Sequence, residues 1–262
     1  MKIAVIIPSY KPSWYLDRCL FSLENQSLSK DKFKIYIALN GPKGDYEVFV
    51  LNLLAKYSFT HEYLYIEEAG VSYARNRLID ISKEEYITFI DDDDIISERF
   101  LEQLLHNVSA DHISVSDVAN FTDSIDNLTD NYIGKSFATL KDTETSLFKA
   151  RKYFSSPCAK LIPREIVGST RFDLKLKVGE DSLFMAELSK RVQGISKTDS
   201  SACYYVYQRE GSASREKVVR MEEIKRVSYL VATYGTMLFN GSNLLFIFSR
   251  IAASMKHLRR IF

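Results

Sequence analysis

The sequence predicts an α/β fold built on a mostly parallel, doubly wound sheet flanked by helices, and three observations carry that prediction. Strand-like and helix-like segments alternate over roughly the first hundred of 262 residues, the pattern of βαβ units. The opening run Ile3 to Ile7 is apolar at every position, as in a strand covered on both faces. A second run, the β-branched and aromatic Tyr86 to Ile90, ends abruptly in Asp91-Asp92-Asp93-Asp94, and open α/β sheets bind ligands at the carboxyl ends of their strands.

Taken in order, the first strand ends at Pro8-Ser9-Tyr10 and Leu16 to Leu23 follows with helical spacing. Phe33 to Leu39 reads as a strand closed by Asn40-Gly41-Pro42, Tyr46 to Lys56 as a helix, and Tyr63 to Ile66 as a third strand before Gly70. Val71 to Ser82 reads as a helix with Arg75 and Asn76 near its start. After the acidic turn, Ile95 to Leu105 has helical periodicity with Ser97 as its cap. His112 to Ser116 is another strand, and Asn120 to Thr145 is polar and irregular, a long loop of the functional or mobile kind. Glu180-Asp181 opens a helix running to about Arg191.

Composition narrows the function. The chain is 46% hydrophobic and 26% charged with a net charge of +1, a globular balance that offers no argument for nucleic-acid binding. Cys19, Cys158 and Cys203 are odd in number and far apart, which speaks against a disulfide framework or zinc site and fits a reducing cytosol. The apolar start, closed by Pro8, is too short for a signal peptide. No stretch approaches the roughly 18 apolar residues of a membrane span.

Four adjacent carboxylates repel: a pair ~4 Å apart costs about 4 kcal/mol at an effective dielectric near 20. A divalent cation answers that repulsion. Alternate residues of extended chain face one way, so Asp91 and Asp93 converge on one ion while Asp92 and Asp94 face elsewhere. Hard oxygen ligands favour Mg2+ or Mn2+ over zinc. The other reading is a solvated acidic turn in which Asp94 caps the next helix. Glu180 and Asp181 likewise admit a capping role, since acids at a helix N-terminus suit its dipole.

From Ile224 to Phe262 there is no acid, and Lys225, Arg226, Arg250, Lys256, Arg259 and Arg260 leave Met1 to Glu223 at −5. Leu244, Ile247, Phe248, Ile251, Met255, Leu258 and Phe262 form one helical stripe. A basic helix with such a stripe suits an anionic membrane surface, or packing on protein.

Ile6-Ile7-Pro8-Ser9-Tyr10, Gly70-Val71-Ser72-Tyr73-Ala74-Arg75-Asn76, Phe89 to Asp94 and Gly179-Glu180-Asp181 together resemble the successive motifs of family 2 glycosyltransferases with the GT-A, Rossmann-like fold, over roughly Met1 to Ser214. The resemblance implies inverting transfer of a sugar from a nucleotide diphosphate, usually uridine diphosphate, with Mn2+ or Mg2+. It places Pro8, Ser9 and Tyr10 beside the nucleobase and ribose. Asn40 stands where the family usually has an aspartate that holds the base; its amide both donates and accepts. Arg75 would lie near the phosphates, Asp91 near the ribose or the metal's water, and Asp93 would ligate the metal. Asp92 is a further residue on the nucleotide side. Asp181 matches the catalytic base, with Glu180 the fallback. Arg209, in the segment Tyr205 to Ser214 that follows the base, would close over the diphosphate. Lys160 reads either as an acceptor contact or as a structural residue.

These roles divide the chain into a nucleotide-sugar-binding half (1–110), an acceptor-binding half with the base (111–223) and a basic amphipathic tail (224–262). The expected function is transfer of a single sugar from a nucleotide-diphosphate donor to a hydroxyl of a cell-surface glycan or lipid-linked saccharide. The tail would hold the enzyme peripherally at the inner face of the membrane. A non-catalytic subunit that binds nucleotide sugar or metal is the alternative. A sugar nucleotidyltransferase would carry a Gly-rich phosphate loop after the first strand, and Pro8-Ser9-Tyr10-Lys11-Pro12 is not one.

Overall fold

Ile3 to Ile7 are all completely buried, and in this computed structural model, which describes residues 2–209, 219–241 and 243–258, they form the strand on which the sheet is built. Strand β1 (Ile3–Ser9) is followed by α1 (Tyr15–Glu24), β2 (Phe33–Asn40), α2 (Gly44–Leu54), β3 (His61–Ile66), α3 (Val71–Ile81) and β4 (Tyr86–Phe89). The strands pair in parallel, β1 lying between β2 and β4 with β3 outside β2. The strand order therefore reverses beside β1, which opens a crevice at the carboxyl ends of β1 and β4. Helix α1 buries Leu16, Cys19, Leu20 and Leu23, its i, i+3, i+4, i+7 stripe, each large apolar side chain contributing about 1.5–3 kcal/mol.

The chain continues through β5 (Ile95–Ile96), α4 (Phe100–Asn107), β6 (His112–Val115), β7 (Asp117–Phe121), β8 (Thr129–Asp130), α5 (Gly134–Phe137) and β9 (Thr143–Glu144). Then come β10 (Lys160–Pro163), α6 (Arg164–Val167), α7 (Glu180–Leu188), β11 (Gly194–Lys197), β12 (Cys203–Tyr207), α8 (Arg220–Met237) and α9 (Leu244–Leu258). The main sheet has the order β3-β2-β1-β4-β10-β6-β11-β9, and a smaller one runs β5-β12-β7-β8. Strand β10 is antiparallel to both β4 and β6, and β9 to β11; the other neighbours in the main sheet are parallel. One sheet thus runs through both halves of the chain.

Three sequence expectations change. Ile95 and Ile96 are strand, paired with Tyr205 and Tyr204, so the helix begins only at Phe100. Ser97 does not cap it: its hydroxyl donates to the Ser201 carbonyl at 2.8 Å and accepts from the Cys203 N–H at 2.9 Å. The stretch from Asn120 to Thr145 is no plain loop, since it supplies β8, α5 and β9. The tail stripe is split. Ile247 is buried together with Phe246, whose ring meets Phe154 edge-on at 5.2 Å, whereas Leu244, Phe248 and Met255 are exposed. Phe262, Arg259, Arg260 and the segment Glu210 to Ser214 lie outside the described residues.

Candidate active site

The carboxyl ends of β1, β2 and β4 bring Ser9, Asn40 and Asp91 to one edge of the sheet. Asn40 is 2% exposed, and its amide is engaged on both sides: it donates to the Ser9 carbonyl at 2.8 Å and accepts from the Gly70 N–H at 2.9 Å. It ties β1 to the loop that enters α3. Tyr10 is exposed beside Gly41, which takes a φ of +89°; a Cβ on Gly41 would lie 2.7 Å from the Tyr10 ring.

The four acids divide by parity. Asp92 Oδ2 accepts from Ser9 Oγ at 2.6 Å and Asp94 Oδ1 from the Tyr207 N–H at 2.8 Å, both aspartates being buried. Asp91 and Asp93 meet arginines instead. Asp91 Oδ1 accepts from Arg75 Nη2 at 2.9 Å, and Arg209 Nε lies 3.1 Å from Asp93 Oδ2. The Asp91 N–H donates to the Tyr204 hydroxyl at 3.0 Å, which fixes the start of the turn.

Arg75 is 3% exposed, and its second arm donates to Asp181 Oδ1 at 2.6 Å. It is thus enclosed between two carboxylates and over the Phe172 ring, rather than open to the crevice. Asp181 and the buried Glu180 stand in the first turn of α7, entered through Gly179 at φ +92°. A Cβ there would meet Leu230 at 3.1 Å and Arg226 at 3.2 Å, so the closeness of α8 and the left-handed backbone both call for glycine. Asn76, to which sequence reasoning gave no separate role, exchanges two hydrogen bonds with the Phe172 backbone at 2.7 and 2.8 Å. Phe172 stacks on Phe184 of α7 at 3.9 Å, a path from α3 to the helix that carries Asp181.

Electrostatics follow from burial. Asp92 is pushed up to about 7 chiefly by burial, and Asp93 to about 6 by burial with Asp91 repelling and Arg209 opposing. Asp94 is raised well above the ordinary carboxylate value by burial and by Asp91 and Asp93. Burial also lifts Glu180 to about 7, with Asp181 adding, and raises Asp181 although Arg75 opposes. Burial pulls Lys160 down to about 7, while the Ser156 and Cys158 carbonyls that accept from its Nζ favour its charged form.

Burial and repulsion from Asp91 hold Asp93 above its ordinary value, and an all-carboxylate donor set suits a hard divalent cation. Among the described residues no three His, Cys, Asp or Glu side chains form a cage. That arrangement fits Mg2+-type binding through one or two carboxylates completed by substrate phosphates. Asp91 and Asp93 are the residues that would hold the ion.

A cavity of about 210 Å³ opens beside Asp91 and Asp94, walled by Asn131, Ser156, Cys158 and Tyr204. Sequence reasoning also missed Arg18, whose guanidinium sits 4.5 Å from the ring centres of both Trp14 and Tyr207 and is drawn toward Asp93 and Asp94. No spacing rule links residues 14, 18 and 207.

The glycosyl transferase family 2 model matches residues 4–169, the span that carries β1, the acidic turn and β10. The chain belongs to this family. Among curated family 2 relatives, the poly(ribitol-phosphate) beta-glucosyltransferase of Bacillus spizizenii is 26% identical over 80% of this chain and 33% of its own. The Staphylococcus aureus poly(ribitol-phosphate) beta-N-acetylglucosaminyltransferase TarS is 24% identical over 88% and 40%. Glycosyltransferase GlyA of Streptococcus pneumoniae is 29% identical over 82% and 32%. The chain therefore spans about a third to two fifths of the length of these longer proteins.

Solved structures share the GT-A fold. S. aureus TarS 1–349 with UDP-GlcNAc superimposes with a TM-score of 0.77 at 20% identity, over 97% of this chain and 72% of that one. A Pyrobaculum calidifontis mannosyltransferase with GDP-Man and Mn2+ gives 0.64 at 12% identity, over 98% and 69%. Among the described residues no helix is long and apolar enough to cross a membrane.

Proposed function

We propose that this chain is an inverting, metal-dependent glycosyltransferase that moves one sugar from a UDP-sugar to a hydroxyl of a phosphate-containing cell-surface polymer. The observation that carries the reading is the Arg75 bridge, which sets Asp181 across a single guanidinium from Asp91. A base at one end of the guanidinium bridge and a diphosphate-side acid at the other support an in-line displacement. The named acceptors of the relatives, poly(ribitol-phosphate) chains, support the polymer class.

In the proposed step Asp181 takes the proton of the acceptor hydroxyl. The oxygen attacks the anomeric carbon, and the carbon–oxygen bond to the diphosphate breaks with its electron pair leaving on the diphosphate. Burial holds Asp181 above its ordinary value, which improves a carboxylate as a base near neutrality. Arg75 keeps it oriented. A divalent cation on Asp91 and Asp93 supplies neutralisation of the leaving diphosphate when bound. Asn40 and Ser9 shape the nucleotide end of the crevice, Pro8 and Tyr10 border it, Asp92 anchors Ser9, and Arg209 is the group that exchanges Asp93 for phosphate. The exposed Leu244, Leu245, Phe248 and Met255 of α9 support peripheral contact with the inner face of the membrane.

Calorimetric binding of UDP and GDP with and without Mn2+, followed by NMR of the product's anomeric configuration, tests the reading. Metal-dependent UDP binding and inversion are expected. Retention would overturn the displacement, GDP preference the donor class, and absence of binding would favour a non-catalytic subunit.

A further inference from the structure

A second, larger cavity of about 500 Å³ lies between α9 and the segments around Tyr132 and Arg151, and its polar wall is basic: Arg151, Arg250, Lys256 and His257, with Ser249 and no carboxylate. Arg250 is 6% exposed, and its buried Nε has no hydrogen-bond partner among the described residues. Burial and the charge of Arg151 both press on its guanidinium. None of Arg151, Arg250 and Lys256 forms an ion pair with a carboxylate among the described residues. Burying an arginine without an anion is unfavourable, and a donor left unpaired in a basic cavity calls for an oxyanion. A phosphate group accepts from guanidinium arms in the bidentate way that few other ligands match.

The position of the cavity distinguishes its source. Asn131 and Ile133 line the cavity at Asp91, whereas Tyr132 between them lines the basic one. Arg151 and Ser156, at the two ends of one short helical turn, divide the same way. The two cavities therefore share a wall one chain thick. On α9, at about 100° per residue, the cavity's lining centres roughly 125° around the helix from exposed Leu244, Leu245, Phe248 and Met255. The cavity does not face where the apolar stripe faces, so a lipid surface seated on that stripe would not fill it.

We propose that this basic cavity binds a phosphate group of the acceptor chain, one or more repeats away from the hydroxyl that receives the sugar. The proposal deepens the polymer-acceptor reading given above and rests on it. Arg250 and Arg151 grip the phosphate, and Lys256 closes the outer side. Binding there sets which repeat along the acceptor reaches the cavity at Asp91.

The test uses the full chain with inorganic phosphate and a synthetic ribitol-phosphate oligomer as probes, read by calorimetry. The wild type should bind both, and Arg151→Ala with Lys256→Ala should raise the oligomer Kd at least tenfold while UDP binding is unchanged. Arg250→Lys, which keeps the charge and the bulk, should weaken the oligomer less than Arg250→Gln, and unchanged UDP binding controls for folding. Equal oligomer binding by wild type and the double variant would overturn the proposal, as would loss of binding only to phosphatidylglycerol vesicles. Donor hydrolysis by the wild type is measured separately: its absence would sink the transferase reading, and its presence with unaltered oligomer binding would sink this one alone.

Discussion

Arg75 Nη1 donates to Asp181 Oδ1 at 2.6 Å across 106 positions of sequence, so the family's predicted base is positioned by a buried guanidinium that Asp91 also holds. Removing the buried guanidinium from two part-exposed carboxylates takes away charge-assisted hydrogen bonds worth about 1.5–3 kcal/mol each. Arg75→Met should therefore lose stability of that order in urea denaturation. Arg75→Lys, a point charge without a fork, should fall between it and the wild type. Equal stability of Arg75→Met and wild type would mean that the bridge contributes nothing.

Asp181→Asn separates geometry from proton transfer. The amide oxygen still accepts from Arg75, so UDP binding should hold within a factor of a few. Transfer should drop by about 10²–10⁴, the usual worth of a positioned general base. Glu180→Gln, one residue earlier on α7, should be milder. Full activity in Asp181→Asn would move the base elsewhere.

Asp92 provides the pH prediction. Its carboxyl is pushed up to about 7 by burial, with the Ser9 hydrogen bond opposing and Asp93 and Asp91 adding. Between its ordinary value of about 4 and about 7, the folded chain holds a proton that the unfolded chain has released. Folding then binds protons, and stability falls as pH rises through that window. Chemical denaturation of the ligand-free protein from pH 5 to 8 should show wild type losing stability relative to Asp92→Asn, on the order of a few kcal/mol at most. A constant difference across that range would place the Asp92 pKa below it.

The legible parts of this protein are those where neighbours in sequence are neighbours in space. β1 and β4 announce themselves because both faces are covered and the residues are mostly apolar or β-branched. The acidic turn is visible because four like charges adjoin. Ser97 misleads because its partners, Ser201 and Cys203, come from the start of β12 and the turn before it, and pairing with that strand overrides the local helical pattern. Arg75 reads as a phosphate ligand from its motif, but its enclosure depends on α7, more than a hundred residues away. The acid-free tail is legible as basic; that Arg250 points inward is not, because the stripe could rotate until Phe246 found Phe154.

The tail supplies the last prediction, which contrasts two phenylalanines two residues apart on α9. Phe246 is fully buried against Phe154, whereas Phe248 is exposed. Phe246→Ala should cost about 3–5 kcal/mol, the usual price of emptying a buried aromatic site. Phe248→Ser should stay within about 0.5 kcal/mol, as surface changes do. If α9 also lies on an anionic membrane, Phe248→Ser should lower vesicle binding in a flotation assay while melting like the wild type. Cutting the chain after Asn240 is the poorer experiment, because it strips α9 from α8 and uncovers Phe154, so lost vesicle binding would then be confounded with lost folding. Unchanged flotation of Phe248→Ser combined with Leu245→Ser would leave α9 as a packing element and remove its exposed stripe from membrane contact.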